Sequence, residues 1–314
     1  MEVLAELPWA QPGWRARAQA WIERQVAGTV GDAEEVKIRP WSAVLRQPTE
    51  GGDVYFKANL PALANEPGLT RLLHRIAPGH VLDVLADEPE EGWMLQADGG
   101  PTMRSRLDGV GDLERWERML GVYAEVQVRA AAHADELLAE GAPDRRLPEL
   151  RGLFEGLVTG EQESLLPLAG RISELAGKLD AYGLPATIDH SDLHAGNVLA
   201  PGDRYVIFDW HEGAVTHPFF SMMVATRWLE HNHGVEPGGA DDRRLRGAYL
   251  EPWAAYGSRA ELREALDLAL RLGPITRALG WNRVLGSMPA EAAGEWAEHL
   301  SGWLEDVETE LRRP

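Results

Sequence analysis

His190-Ser191-Asp192-Leu193-His194-Ala195-Gly196-Asn197 is followed, twelve residues after Asn197, by Asp209 at the end of the apolar run Tyr205-Val206-Ile207-Phe208. Pro201-Gly202-Asp203-Arg204 between them is a strong turn signal, so Val198-Leu199 and Val206-Phe208 are predicted to pair as a hairpin. With the turn centred on Asp203, Asn197 and Asp209 stand directly opposite, on one face, with Cβ atoms about 5 Å apart. An amide oxygen and a carboxylate so placed can hold a hard cation such as Mg²⁺, leaving coordination positions for water and phosphate oxygens. Asp192, on the loop entering the hairpin, is then free to accept a proton. One base and two metal ligands are what phosphoryl transfer asks of a protein.

Upstream of this segment the chain changes period several times. Trp14, Ala18, Trp21, Ile22 and Val26 recur at helical spacing before Gly28. The stretch from Val36 to Leu60 reads as short strands broken at Arg39-Pro40 and at Glu50-Gly51-Gly52-Asp53, with Lys57 near the end. Glu66-Pro67 opens a helix running to Ile76, and strand-like runs follow at His80–Leu85 and Gly92–Gln96. The breaker Asp98-Gly99-Gly100-Pro101 places a hinge there. Beyond it, helical faces run from Leu113 to about Gly141 and from Leu165 to Tyr182, and the chain after Pro218 again reads helical. The expectation is an α+β, protein-kinase-like bilobal fold, with a small β-rich lobe over residues 1–98 and a large, mainly helical lobe over 99–314.

Composition narrows the class. A chain of 314 residues favours two packed units over one core. There are no cysteines, which removes thiolate nucleophiles, disulfides and cysteine metal sites together. With 31 basic and 50 acidic residues the net charge is −19, which argues against nucleic acid as a partner. No stretch approaches the roughly 18 apolar residues of a membrane span, and the first residues do not read as a signal peptide, so a cytoplasmic protein is expected.

The H-x-D-x-H-x-x-N loop with its downstream Ile207-Phe208-Asp209-Trp210 resembles the aminoglycoside phosphotransferase and choline kinase-like superfamily, relatives of the protein kinases. The resemblance implies transfer of the γ-phosphate of ATP or GTP to a hydroxyl of a small molecule such as an aminoglycoside, another antibiotic or an amino sugar. It implies Asp192 as catalytic base with His190 beside it, His190 and His194 being mainly supporting, and Asn197 and Asp209 as Mg²⁺ ligands. Val54-Tyr55-Phe56-Lys57 resembles the strand whose lysine contacts the α and β phosphates, and Glu66 matches the helix glutamate that pairs with it. The hinge residues Gln96, Ala97 and Asp98 are expected to offer backbone groups to the nucleotide base.

Three departures stand out. No G-x-G-x-x-G loop exists, so the phosphate-covering turn falls on Arg39-Pro40-Trp41-Ser42, where Arg39 or Ser42 supplies side-chain contacts. Ser191 replaces a usual glycine, which is tolerated if φ is not positive there. His217 stands where the family commonly has aspartate. Two other functions compete: a non-catalytic kinase-like nucleotide-binding protein, and a hydrolase in which His190, Asp192, His194, Asp209 and His211 hold a transition metal.

Overall fold

A computed structural model of the chain describes residues 6–109 and 111–313, with all their side chains except that of Glu161. The sequence reading of residues 1–5 lies outside these. In the small lobe, helix α1 (Trp14–Gln25) lies on a five-stranded antiparallel sheet of β1 (Glu34–Arg39), β2 (Ser42–Gln47), β3 (Val54–Asn59), β4 (Val84–Glu88) and β5 (Trp93–Ala97), in the order β1-β2-β3-β5-β4. Strand alternation divides the side chains. Ala43, Leu45, Phe56, Ala58 and Leu95 face α1 and meet Trp14, Ala18, Trp21 and Ile22, which share one side of that helix. Phe56, Trp93, Trp14 and Trp21 interlock there at ring-centroid distances of 5.4–6.4 Å.

The opposite face of the sheet is aligned by register. Lys37 pairs with Val44, Val44 with Lys57 and Lys57 with Met94, so the two lysines stand in one row. Helix α2 (Glu66–Ile76) starts with proline in its first turn and buries Leu69, Leu72 and Leu73. The predicted strand at His80–Leu85 is displaced to β4. The reason is a competing partner: the carbonyl of His80 accepts from Ile207 N–H at 2.8 Å, and Val81 bridges to Ile207, so this run is drawn to the large-lobe hairpin.

The large lobe begins with α3 (Asp112–Ala130), continued after a 3₁₀ turn by α4 (Ala134–Ala139), so the single long helix expected to Gly141 is broken. Helix α5 (Leu150–Leu157) follows, and α6 (Ala169–Asp180) starts later than Leu165 because Pro167 lies in a 3₁₀ stretch before it. Two short antiparallel pairs then frame the segment from His190 to Asn197: β6 (Thr187–Asp189) with β9 (Ala214–Thr216), and β7 (Val198–Leu199) with β8 (Val206–Ile207). The chain ends in α7 (Met222–His233), α8 (Ala240–Leu250), α9 (Arg259–Ser287) and α10 (Ala290–Arg312). A capping box between Ser258 and Glu261 opens α9, the longest helix among the described residues. Its residues contact both the loop at Ser191 and the small lobe at Asn65. Among the described residues no helix is long and apolar enough to cross a membrane.

Candidate active site

Between the lobes lies a cavity of about 380 Å³. Ser42, Tyr55, Lys57 and Glu66 line it from the small lobe, Gln96, Ala97 and Asp98 from the hinge, and Asn197, Phe208 and Asp209 from the large lobe. The cofactor and metal residues expected from the sequence therefore share one wall-to-wall space. Arg39 is not part of the lining; its guanidinium turns to the carbonyl of Ile38 at 3.2 Å. The β1 cation in the lining is Lys37, an exposed residue at the cavity edge. A bulge between Glu35 and Lys37 shifts the alternation of β1 by one residue and puts Lys37 on the sheet face of Val44 and Lys57.

At the centre, Lys57 Nζ stands 2.6 Å from Glu66 Oε2 and 2.5 Å from Asp209 Oδ1. Glu66 is fully buried, and its Oε2 also accepts from Asn59 Nδ2 at 2.7 Å, while Oε1 has no partner. Burial by itself pulls the Lys57 ammonium down, but Asp209 and Glu66 outweigh it and raise its pKa above the usual lysine range. Burial likewise works against ionised Asp209, yet Lys57 and His211, whose Nδ1 lies 2.7 Å from Oδ1, hold it well below the usual carboxylate range. Asp209 is therefore an anion looking into the cavity.

The loop that carries Asp192 is built from β6 outward. Ser191 has φ = +64°, so the condition attached to its replacing glycine is not met, and the residue sits in the left-handed region. Hydrogen bonds hold it there. Its N–H and Oγ–H donate to Asp189 Oδ1 and Oδ2, both at 2.9 Å, and its carbonyl accepts from Arg277 at 2.6 Å. Asp189 is in turn bonded by Ser221 Oγ at 2.5 Å, and Ser221 by Tyr123 at 2.6 Å. Asp192 follows with Oδ1 3.4 Å from Arg277 Nη2 and Oδ2 3.2 Å from Asn197 Nδ2 and 3.4 Å from His194 Nε2. Burial raises the Asp192 pKa, but Arg277, then His194 and His190, carry it below the usual range and leave the carboxylate ionised.

The two histidines of the motif are occupied. His190 is fully buried; its Nδ1 accepts from Asp192 N–H at 3.3 Å, so its Nε2–H donates to the carbonyl of Phe208 at 2.9 Å. Burial lowers its pKa and keeps it neutral. His190 thus holds the backbone of Asp192 against the hairpin and offers no free nitrogen for proton transfer or metal. His194 Nδ1 accepts from Gly196 N–H at 2.9 Å. A Cβ on Gly196 would come within 2.8 Å of that ring, so only glycine leaves the loop this tight.

The hairpin register differs by one residue from the expectation. Val198 pairs with Ile207 and Leu199 with Val206, so Phe208, whose N–H donates to the carbonyl of Asn197 at 3.1 Å, stands opposite Asn197 and Asp209 lies beyond the pair. Asp209 nevertheless reaches the same cavity, because its left-handed backbone (φ = +68°) turns the chain at that point. Asn197 gives its amide N–H groups to the Asp192 carbonyl at 3.0 Å and to the Asp192 carboxylate, which leaves its oxygen unengaged. An ionised carboxylate and an amide oxygen suit Mg²⁺.

Sequence reasoning missed Arg277. It donates to Glu212 Oε2 at 2.9 Å as well as to Ser191 and approaches Asp192, and its guanidinium lies 5.6 Å from the Trp303 ring centre. Its only signal in the sequence is a cation on a long helix. His217, in the position of the expected aspartate, is a buried helix N-cap accepting from Phe219 N–H at 3.3 Å. Elsewhere on the large lobe, Arg227 pairs with Asp306 at 2.6 Å and Trp228 packs on Trp116, while Trp281 and Arg283 meet the small lobe.

Solved structures with this architecture include a choline/ethanolamine kinase family protein from Mesorhizobium loti, at 17% identity and TM-score 0.62 over 95% of both chains. The chain has the aminoglycoside phosphotransferase and choline kinase-like fold. A macrolide 2′-phosphotransferase from Brachybacterium faecium shares this fold at 18% identity and TM-score 0.55, over 96% of this chain and 99% of that one. An aminoglycoside phosphotransferase solved with AMP-PNP and hygromycin B shares it at 14% identity and TM-score 0.59, over 94% and 97%. No protein-family model and no curated protein matches the sequence.

Proposed function

We propose that the protein is a Mg²⁺-dependent phosphotransferase that moves the γ-phosphate of ATP or GTP to a hydroxyl of a small molecule. The observation carrying this reading is the convergence of Lys57, Asn197 and Asp209 on one interlobe cavity, with Asp192 held against Asn197. Structural neighbours solved with AMP-PNP and hygromycin B, and with ADP and spectinomycin, support a nucleotide and a small-molecule acceptor.

Bound Mg²⁺ supplies charge neutralisation of the β and γ phosphates, and Asn197 and Asp209 would hold it. Lys57 neutralises the phosphates, its ammonium kept charged by Asp209 and fixed in place by Glu66. The nucleotide base lies toward Gln96, Ala97 and Asp98. The Asp98 N–H is already taken by the Asp53 carbonyl at 3.2 Å. Asp192 takes the proton of the acceptor hydroxyl. Arg277 and Asn197 keep its carboxylate aimed and ionised, so it acts by orientation more than by basicity.

The reading is tested by ADP or GDP release from purified protein against aminoglycosides, macrolides, amino sugars and amino alcohols. Acceptor-dependent release with a phosphorylated product is expected. Nucleotide binding without turnover on any hydroxylated compound would favour the non-catalytic alternative.

A further inference from the structure

The turn at the phosphate end of the cavity contains no glycine. Arg39 and Ser42 are paired, leaving Pro40-Trp41 as the whole connection between β1 and β2. Trp41 belongs to two places at once. With Ser42 it lines the cavity that holds Lys57 and Asp209. Its indole also crosses to the large lobe and meets Trp296 edge-on, with ring centres 4.8 Å apart at 86°, and Trp281 at 5.8 Å and 84°. Trp281 is stacked on His299 at 4.3 Å and 7°, and lies nearly parallel to Trp296 at 12°. Beneath this stack Leu60 and Leu63 of the small lobe pack against Val284 of α9, Met288 just past its end and Ala292 of α10.

We propose that Trp41 is a positioning residue that clasps the phosphate-covering turn to the large lobe. A glycine-rich loop would approach the phosphates through bare backbone; here a stiff Pro-Trp turn is held from outside by aromatic docking. Perpendicular aromatic pairs each stabilise such a contact beyond the area they bury, and two of them amount to roughly a tenfold bias toward the docked turn. The clasp sits at the end of the cavity away from the hinge, so it acts on the β and γ phosphates and not on the base. It also joins the turn to α9, the helix carrying Arg277 against Asp192. The proposal rests on the nucleotide reading of the cavity given above.

The test uses Trp296→Ala, which lies on α10 outside the cavity lining, and Trp41→Ala, which changes a half-buried turn residue and leaves both main cores intact. Calorimetry of Mg²⁺-ATP and Mg²⁺-GTP, and of AMP and GMP, is paired with amide hydrogen exchange of residues 39–43 in nucleotide-free protein. Both variants are expected to bind the preferred triphosphate about tenfold more weakly and its monophosphate as wild type does, with faster exchange in the turn. Trp41→Phe should recover most of the loss. Equal weakening of triphosphate and monophosphate, or unchanged triphosphate affinity in Trp41→Ala, overturns the clasp while leaving the nucleotide site in place. A wild-type protein that binds none of these nucleotides overturns the nucleotide reading and the clasp with it.

Discussion

Lys57 Nζ and Asp209 Oδ1 stand 2.5 Å apart although 152 residues separate them in the chain. This ion pair crosses the cleft and is largely shielded from water. Removing one partner of such a pair leaves the other charge buried and uncompensated.

Lys57→Ala should therefore destabilise the protein by about 3 kcal/mol at neutral pH, because Glu66 and Asp209 lose their shared cation. Mg²⁺ should restore part of the loss, raising the thermal midpoint of the variant more than that of wild type. Calorimetric scans with and without Mg²⁺ check both points. A midpoint unchanged from wild type would show that the pair is not a stabilising contact.

Ser191 gives a second test. A non-glycine residue in the left-handed region costs roughly 1–2 kcal/mol, and here Oγ offsets it by bonding Asp189. Ser191→Gly should be close to neutral in urea unfolding, since lost strain balances the lost bond. Ser191→Ala keeps the strain and leaves a buried carboxylate oxygen of Asp189 short of a donor, so it should lose about 2 kcal/mol. Equal stability of the two variants would contradict this account.

These two sites also mark what the sequence could and could not convey. Asp192, Asn197, Asp209 and Lys57 were legible because each sits in a short motif or an alternating strand whose chemistry is local. The bulge that puts Lys37 on the cavity face of the sheet and the one-residue offset of Asn197 against Asp209 were not, because register depends on tertiary partners such as His80. Arg277 and the Trp41–Trp281–Trp296 stack were hidden for another reason. They are long-range contacts between ordinary helix and turn residues, and no spacing rule links positions so far apart.

His217 predicts a pH dependence of stability. Burial lowers its pKa from the ordinary 6.5 to about 3. The unfolded chain thus binds a proton that the folded one refuses, and this contribution to stability is present above pH 6.5 and lost progressively as pH falls toward 3. At pH 5 the loss is about 2 kcal/mol. His217→Asn keeps an N-cap acceptor for Phe219 N–H and should show a shallower decline between pH 7.5 and 5. Parallel declines in urea midpoints would remove His217 as a cause.

Asp209→Ala should abolish the Mg²⁺-dependent part of nucleotide affinity, since it removes the one anion among the two proposed ligands. Asn197→Ala should do so more weakly. Titrating ATP into each variant with and without Mg²⁺ decides the matter, and an Asp209 variant that keeps the full Mg²⁺ effect would remove it from the metal site.

The most direct measurement compares wild type with Asp192→Asn in acceptor-dependent phosphate transfer, with Mg²⁺-nucleotide affinity determined on the same preparations. The amide can keep the approach of Arg277 to Oδ1 but cannot take a proton. The account predicts nearly unchanged nucleotide affinity and turnover reduced by about 10²–10⁴-fold. Wild-type turnover in Asp192→Asn would contradict it.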